Sequence, residues 1–238
     1  MSHKTDHSSA SEKLLIVGGT SSIAKLITSR AIDAGCEVFS TFRNSRKINP
    51  SKEVNWIPLD FSKIETVESA LGDLESIHLD YIIYLSGSLS HLQHEDATLQ
   101  SFDRYIKENI TIPVWFLKNL IKKKTFKENS KLTYVSSRSS EYGSHDYLYG
   151  IAKASLENFI KSVKFMKIPN LTLKIISSGL ILGSEMEKSM PSEDSNRHYQ
   201  SSKGKLLTLE QASSLIWKEA TSDALVSTIE RVQIGPNY

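Results

Sequence analysis

Seven short apolar runs alternate along the chain with stretches in which apolar residues return every three or four positions. "KLLIVGG" (13–19) opens the series, and "SSIAKLITSRAIDAG" follows with Ile23, Ile27 and Ala31 on one helical face. "CEVFSTF" (36–42), "EVNWIPLD" (53–60), "LDYIIYLSG" (79–87), "SKLTYVSS" (130–137), "LTLKIISSG" (171–179) and "STIERVQIG" (227–235) read as further strands. Helical patterns fall at 61–74, 102–124, 147–166 and 208–221, with Pro113 expected to bend the second of these or mark its start. Continuous Leu/Ile/Val runs belong to strands buried on both faces. Strands joined by helices need right-handed crossovers. The pattern therefore predicts an α/β fold: a Rossmann-type, doubly wound parallel sheet of about seven strands with helices on both faces.

The 238 residues, 39% hydrophobic and 24% charged, suit one domain with a sizeable core, expected over 13–238. Residues 1–12, "MSHKTDHSSASE", read as a disordered tail without the apolar stretch of a signal peptide. A net charge of +2 from 29 basic and 27 acidic residues gives no argument for nucleic acid or membrane binding. "KKK" at 122–124 reads as a solvated helix end, and "NIT" at 109–111 as an accidental glycosylation match. No apolar stretch approaches membrane-spanning length, so the expected location is the cytoplasm. The single cysteine, Cys36, excludes an intrachain disulfide and is expected to be a buried thiol. His91 and His94 lack a third ligand, so no metal site is expected. The polar segment 184–205 follows a strand end, where ligands bind in open α/β sheets, and is expected to be a lid; an idle surface loop is the alternative.

"VGGTSSIAK" joins the first strand to the first helix. Gly18 permits a tight turn, and the helix start offers free N–H groups to an anion, joined by the hydroxyls of Thr20, Ser21 and Ser22. In the first βαβ unit such a turn suits a dinucleotide pyrophosphate. The second strand ends in "STFRNSRK", with Arg43, Arg46 and Lys47 and no carboxylate between Val38 and Pro50. A carboxylate there would bind a ribose 2′-hydroxyl, whereas a guanidinium suits a 2′-phosphate, so NADP(H) is favoured over NAD(H). Asp60, ending the third strand, is expected to accept from the adenine amino group or to cap the next helix.

Tyr149 and Lys153 in "YLYGIAK" stand about one helical turn apart, so phenol and ammonium share a face. The Tyr-x-x-x-Lys pattern is loose, and Tyr199 with Lys203 also fits it. Tyr199 lies in the polar segment, while Tyr149 opens an amphipathic helix twelve residues after Ser137 ends a strand. The second pair is therefore read as chance.

At this point the chain resembles the short-chain dehydrogenase/reductase family over about residues 13–235. The resemblance rests on "GGTSSIA", "LDF", "YLSG", "ENIT", "VSS" and "YGIAK", in that order. It implies hydride transfer between a nicotinamide and a small-molecule carbonyl or alcohol. It also implies catalytic roles for Asn109, Ser137, Tyr149 and Lys153. Tyr149 would be the general acid in reduction and the base in oxidation. Lys153 would stabilise its phenolate and hydrogen-bond the nicotinamide ribose. Ser137, with Ser136 as rival, would hold the substrate oxygen, and Asn109 would anchor a relay water. The cofactor would further touch Ile23, Phe61, Ser86, Gly87, Gly179 and Ile181. Ser22 and Ala24 stand where the family carries glycine, Leu85 where it carries an amide, and Ser178 where it carries proline. The family's members commonly pair through the helices holding Asn109 and Tyr149, so a homodimer or homotetramer is expected. Two alternatives share these features: a nucleotide-sugar epimerase or dehydratase, opposed by the fewer than 60 residues after Gly179, and a non-catalytic NADP(H)-binding regulator.

Overall fold

The predicted runs become the strands of one parallel sheet in the computed structural model of the chain, which describes residues 11–48, 52–92, 97–122, 125–166, 168–202, 205–222 and 229–235. Its order is β3-β2-β1-β4-β5-β6-β9, and every pairing is parallel. The strands are β1 (Lys13–Val17), β2 (Glu37–Phe42), β3 (Val54–Pro58), β4 (Leu79–Tyr84), β5 (Phe126–Ser137), β6 (Thr172–Ser178) and β9 (Ile229–Ile234). β1 pairs with both β2 and β4, so the chain reverses its winding there and leaves a crevice at the carboxyl ends of these strands.

Alternation along β1 explains the layers. Leu15 and Val17 join one core cluster, with residues of α2 (Ile64–Asp73), α4 (Ile112–Lys122) and α6 (Tyr147–Val163). Leu14 and Ile16 join a second, with Ala24, Ile27 and Ala31 of α1 (Ser22–Asp33) and Ile216 and Ala220 of α9 (Leu209–Thr221). Successive strand side chains point to opposite faces, so a run apolar at every position is what a sheet covered on both sides requires. Cys36 is half-buried against the second cluster rather than fully enclosed.

The long helix expected over 102–124 starts earlier and is interrupted. α3 (Leu99–Ile106) runs into a π-turn at Lys107–Thr111, where the Ile112 N–H donates to Lys107 O, and α4 continues from there. Pro113 has no N–H to return to Asn109 O, which accounts for the change of pitch just before it. The polar segment 184–205 contains α7 (Glu185–Ser189) and α8 (Ser192–Ser201). Its base is pinned by a two-stranded sheet of β7 (Ile181–Leu182) and β8 (Leu207–Thr208), too short to show as a periodic run. A four-residue helix, α5 (Ser139–Tyr142), follows β5. Of the expected tail, residues 1–10 lie outside the described residues, as do Lys123, Lys124, His94 and Lys203. Glu12 is held in place: it accepts from the Tyr81 hydroxyl at 2.7 Å, and its carbonyl accepts from the Glu37 N–H at 2.8 Å.

Candidate active site

The crevice beside β1 and β4 holds two adjoining cavities of about 250 and 200 Å³ that share Ser21, Leu85, Gly87 and Glu185 along their border. The larger is lined by Gly18, Thr20, Ser21, Arg43, Asp60 and Phe61, and by Ser86, Gly87 and Asn109. Ser21, Ile23, Gly87 and Ser137, with Tyr149, Lys153, Gly179 and Ile181, line the smaller. Every residue for which a catalytic or cofactor role was expected therefore lines one of these two adjoining cavities except Ser22 and Arg46.

The turn after β1 is shaped by two glycines. Gly18 has φ +92°, a left-handed conformation that other residues adopt only with strain, and its N–H donates to the Thr41 hydroxyl at 2.9 Å. Gly19, which sequence reasoning passed over, packs so closely on Ser40 of β2 that a Cβ would overlap the Ser40 hydroxyl. Its N–H donates to Thr41 O at 2.9 Å. Gly19 thus lets the turn lie closely against β2, and Ser22 and Ala24 stand at the family's later glycine positions. Ser21 caps α1 by accepting from the Ala24 N–H at 3.2 Å.

In the larger cavity, Arg43 and Lys47 bring positive charge to the end of β2, and Arg46 does not line it. Asp60 is not the cap of α2: Lys63 holds that position, and Asp60 Oδ1 accepts from the Ser62 N–H at 3.0 Å and from the Ser62 hydroxyl at 2.8 Å. Phe61 stacks on Tyr84 at 6.5 Å between ring centroids, fixing the cavity wall. The Asn109 side chain lies in the π-turn, donating to Tyr105 O at 3.1 Å and accepting from the Ser88 hydroxyl at 3.3 Å.

Three polar side chains meet in the smaller cavity. The Tyr149 phenol shares a hydrogen bond with Ser137, and Ser136, also at the cavity wall, does not contribute to it. Burial raises the Tyr149 pKa to about 12, against the lowering effect of Ser137, and the Asp146 carboxylate adds to the rise. Lys153 is buried on the same helix. Its ammonium donates to Val135 O at 3.2 Å and Ser86 O at 3.5 Å, and sits 5.3 Å from the Tyr134 ring centroid and 5.8 Å from that of Tyr149. Burial lowers its pKa to about 8, opposed by the Glu157 carboxylate. Loss of solvation is thus the largest influence on the phenol, and the ammonium lies over both the Tyr134 and the Tyr149 rings. Gly87 makes room for this lysine, since a Cβ there would lie 3.0 Å from Lys153 Nζ.

The loop after β4 is tied to the start of α6 by a residue that sequence reasoning missed. Asp146 accepts from the Tyr149 N–H at 3.0 Å, from the Ser90 N–H at 2.6 Å and from the Ser90 hydroxyl at 2.8 Å. An aspartate just ahead of a helix is a legible capping signal; its reach to a loop 56 residues away is not. Glu185, Met186 and Met190 of the polar segment 184–205 complete the cleft. By contrast, Tyr199 lines neither cavity and is half-exposed at 52%.

A nicotinamide dinucleotide fits most of this donor set: a glycine turn at a helix start, basic side chains at the end of β2, and a hydroxyl–phenol–ammonium group at the far end. One group does not fit, because the Glu185 carboxylate stands at the α1 N-terminus.

Comparison with known proteins agrees with the fold. The family model for short chain dehydrogenases matches residues 12–195, and the chain belongs to that family. It is thereby an NAD(P)-dependent oxidoreductase. No curated protein sequence is similar enough to register as a relative. Among solved structures, a short-chain dehydrogenase/reductase named glucose/ribitol dehydrogenase from Brucella melitensis superposes with a TM-score of 0.79 at 16% identity, covering 94% of each chain. A short chain dehydrogenase family protein from Francisella tularensis gives 0.80 at 14% identity, covering 94% of this chain and 97% of that one. BdcA, in complex with NADPH, gives 0.73 at 15% identity and 93% of each chain.

Proposed function

We propose that the protein transfers hydride between NADP(H) and a small carbonyl or alcohol substrate, using Ser137, Tyr149 and Lys153. The observation that carries this is their convergence in one recess at the carboxyl end of the sheet, joined to the cleft at the β1/β4 switch point. When bound, the dinucleotide supplies or accepts the hydride. The chain's own residues handle the oxygen and its proton. Ser137 holds the carbonyl oxygen beside Tyr149 Oη, which donates its proton in reduction and recovers it in oxidation. Lys153 adds positive charge beside the phenol and turns to the nicotinamide ribose. Asn109, in its π-turn, anchors a water that returns protons to Lys153. Arg43 and Lys47 favour the 2′-phosphate of NADP(H) through charge-assisted hydrogen bonds. Segment 184–205 serves as the lid of a single domain spanning 13–238. The enzyme works in the cytoplasm as a homodimer or homotetramer.

The test is Tyr149→Phe. Carbonyl reduction, followed as loss of nicotinamide absorbance, should fall by about a thousandfold or more, while NADPH binding by fluorescence stays within about twofold. Retained turnover would end the reading. Arg43→Ala should weaken NADPH binding by about 10–100-fold and leave NADH binding nearly unchanged. An equal loss for both dinucleotides would remove the argument for NADP(H).

A further inference from the structure

The first turn of α1 is already occupied by an anion that belongs to the chain. The Ser22 N–H donates to both carboxylate oxygens of Glu185, at 3.0 and 3.1 Å, and the Ser22 hydroxyl donates to Glu185 Oε1. The Ala24 N–H is spent on the Ser21 hydroxyl, and the Lys25 N–H on Ser21 O. The donors that a helix start offers to a phosphate are therefore largely taken. Burial pushes the Glu185 pKa up, but the Ser22 hydroxyl and N–H bonds outweigh it and hold the carboxyl below its ordinary range. The side chain remains an anion at neutral pH.

Glu185 is the first residue of α7, so this contact ties the lid to the phosphate turn. Ser184 caps α7 by accepting from the Glu187 N–H at 3.1 Å, and the strand pair β7–β8 fixes the segment's base. Glu185 also lines both halves of the cleft. A dinucleotide spanning those halves would carry its pyrophosphate past the same N-terminus. Two anions cannot share one set of N–H donors, and close together they repel.

We propose that Glu185 is an internal competitor for the pyrophosphate site, and that cofactor binding must break the Glu185–Ser22 contact and free the lid. Ser22 makes this latch possible, because a glycine there would offer the N–H without the hydroxyl. The inference rests on the dinucleotide reading and adds its regulation: affinity for cofactor is set partly by the lid, and occupancy of the turn is reported to the helix bearing Met186.

The experiment measures NADPH binding by fluorescence titration for wild type, Glu185→Gln and Glu185→Ala, alongside hydrogen exchange across α7 and the first turn of α1. Gln keeps the size and removes the charge; Ala removes the contact entirely and serves if the first variant folds poorly. Both variants should bind NADPH about 3–30-fold more tightly than wild type. Without cofactor they should exchange faster at the Glu187, Lys188 and Met190 amides. At saturating NADPH the exchange difference should vanish, because the wild type has then lost the same contact. Unchanged affinity in both variants would overturn the latch and leave the dinucleotide reading intact. Weakened affinity would also overturn it, making Glu185 a supporter of the cofactor. If neither wild type nor variant binds NADPH or NADH, the dinucleotide reading falls and takes the latch with it.

Discussion

Lys153 shows how a single residue sets chemistry against stability. Its folded pKa is about 8, and its ordinary value 10.5, so the unfolded chain binds more protons between those values. Stability from this group therefore rises with pH across that window, and the full cost of burying the ammonium is present below it. Lys153→Met should raise stability at pH 7 by about 3 kcal/mol, a gain that shrinks to nearly nothing by about pH 10.5, as denaturant titrations at both pH values will show. The same variant should lose turnover. In the wild type, reductive kcat/KM should stay level to about pH 8 and fall above it as Lys153 loses its charge, since Tyr149 keeps its proton up to about 12. A profile level through pH 9 would show that the charge is not needed. Gly19 poses a purely steric constraint. Gly19→Ala should cost about 1–3 kcal/mol by forcing a Cβ onto Ser40. The Ser40 hydroxyl is buried without a hydrogen-bond partner, so Ser40→Ala should be nearly neutral alone and should recover much of that loss in the double variant. A fully additive double variant would mean that another neighbour carries the clash.

At the scale of elements, helix ends do the positioning. Asp146 caps α6 and holds Ser90, so one carboxylate sets both the helix bearing Tyr149 and Lys153 and the loop leaving β4. Asp146→Ala should cost about 1–2 kcal/mol in thermal or denaturant unfolding and raise exchange at the Ser90 amide. Asp146→Asn keeps an acceptor and should recover most of the loss. Loss of turnover with unchanged unfolding would instead point to a direct part in chemistry. The far end of α9 is met by two strand lysines. Lys131 donates to Thr221 O at 2.8 Å, and the buried Lys174 to Glu219 O at 2.7 Å and to the Ser222 hydroxyl. Cations at a helix C-terminus answer its unpaired carbonyls, which is why a lysine is tolerated in the interior run "LTLKIISSG". Alternation and capping residues made most helices and strands readable. The π-turn and the β7–β8 pair were not, because each is shorter than any period that could reveal it.

For the whole molecule, the parallel order with its reversal at β1 places the carboxyl ends of six strands, β1 to β6, around one cleft. Among the described residues no helix is long and apolar enough to cross a membrane, and no three His, Cys, Asp or Glu gather as a metal site. The alternation of apolar runs determined the α/β class, because strands buried on both faces must be apolar at every position. The Tyr149–Lys153 spacing was likewise legible, since one helical turn is a local distance. Three features were decided only in three dimensions. Glu185 reaches a donor 163 positions away, Gly19 meets Ser40 across a strand pair, and Lys153 rests between the Tyr134 and Tyr149 rings. Local spacing fixes which side chains share a face; which anion fills a helix start, and how far burial shifts a proton, depends on what distant parts of the chain bring to the same place.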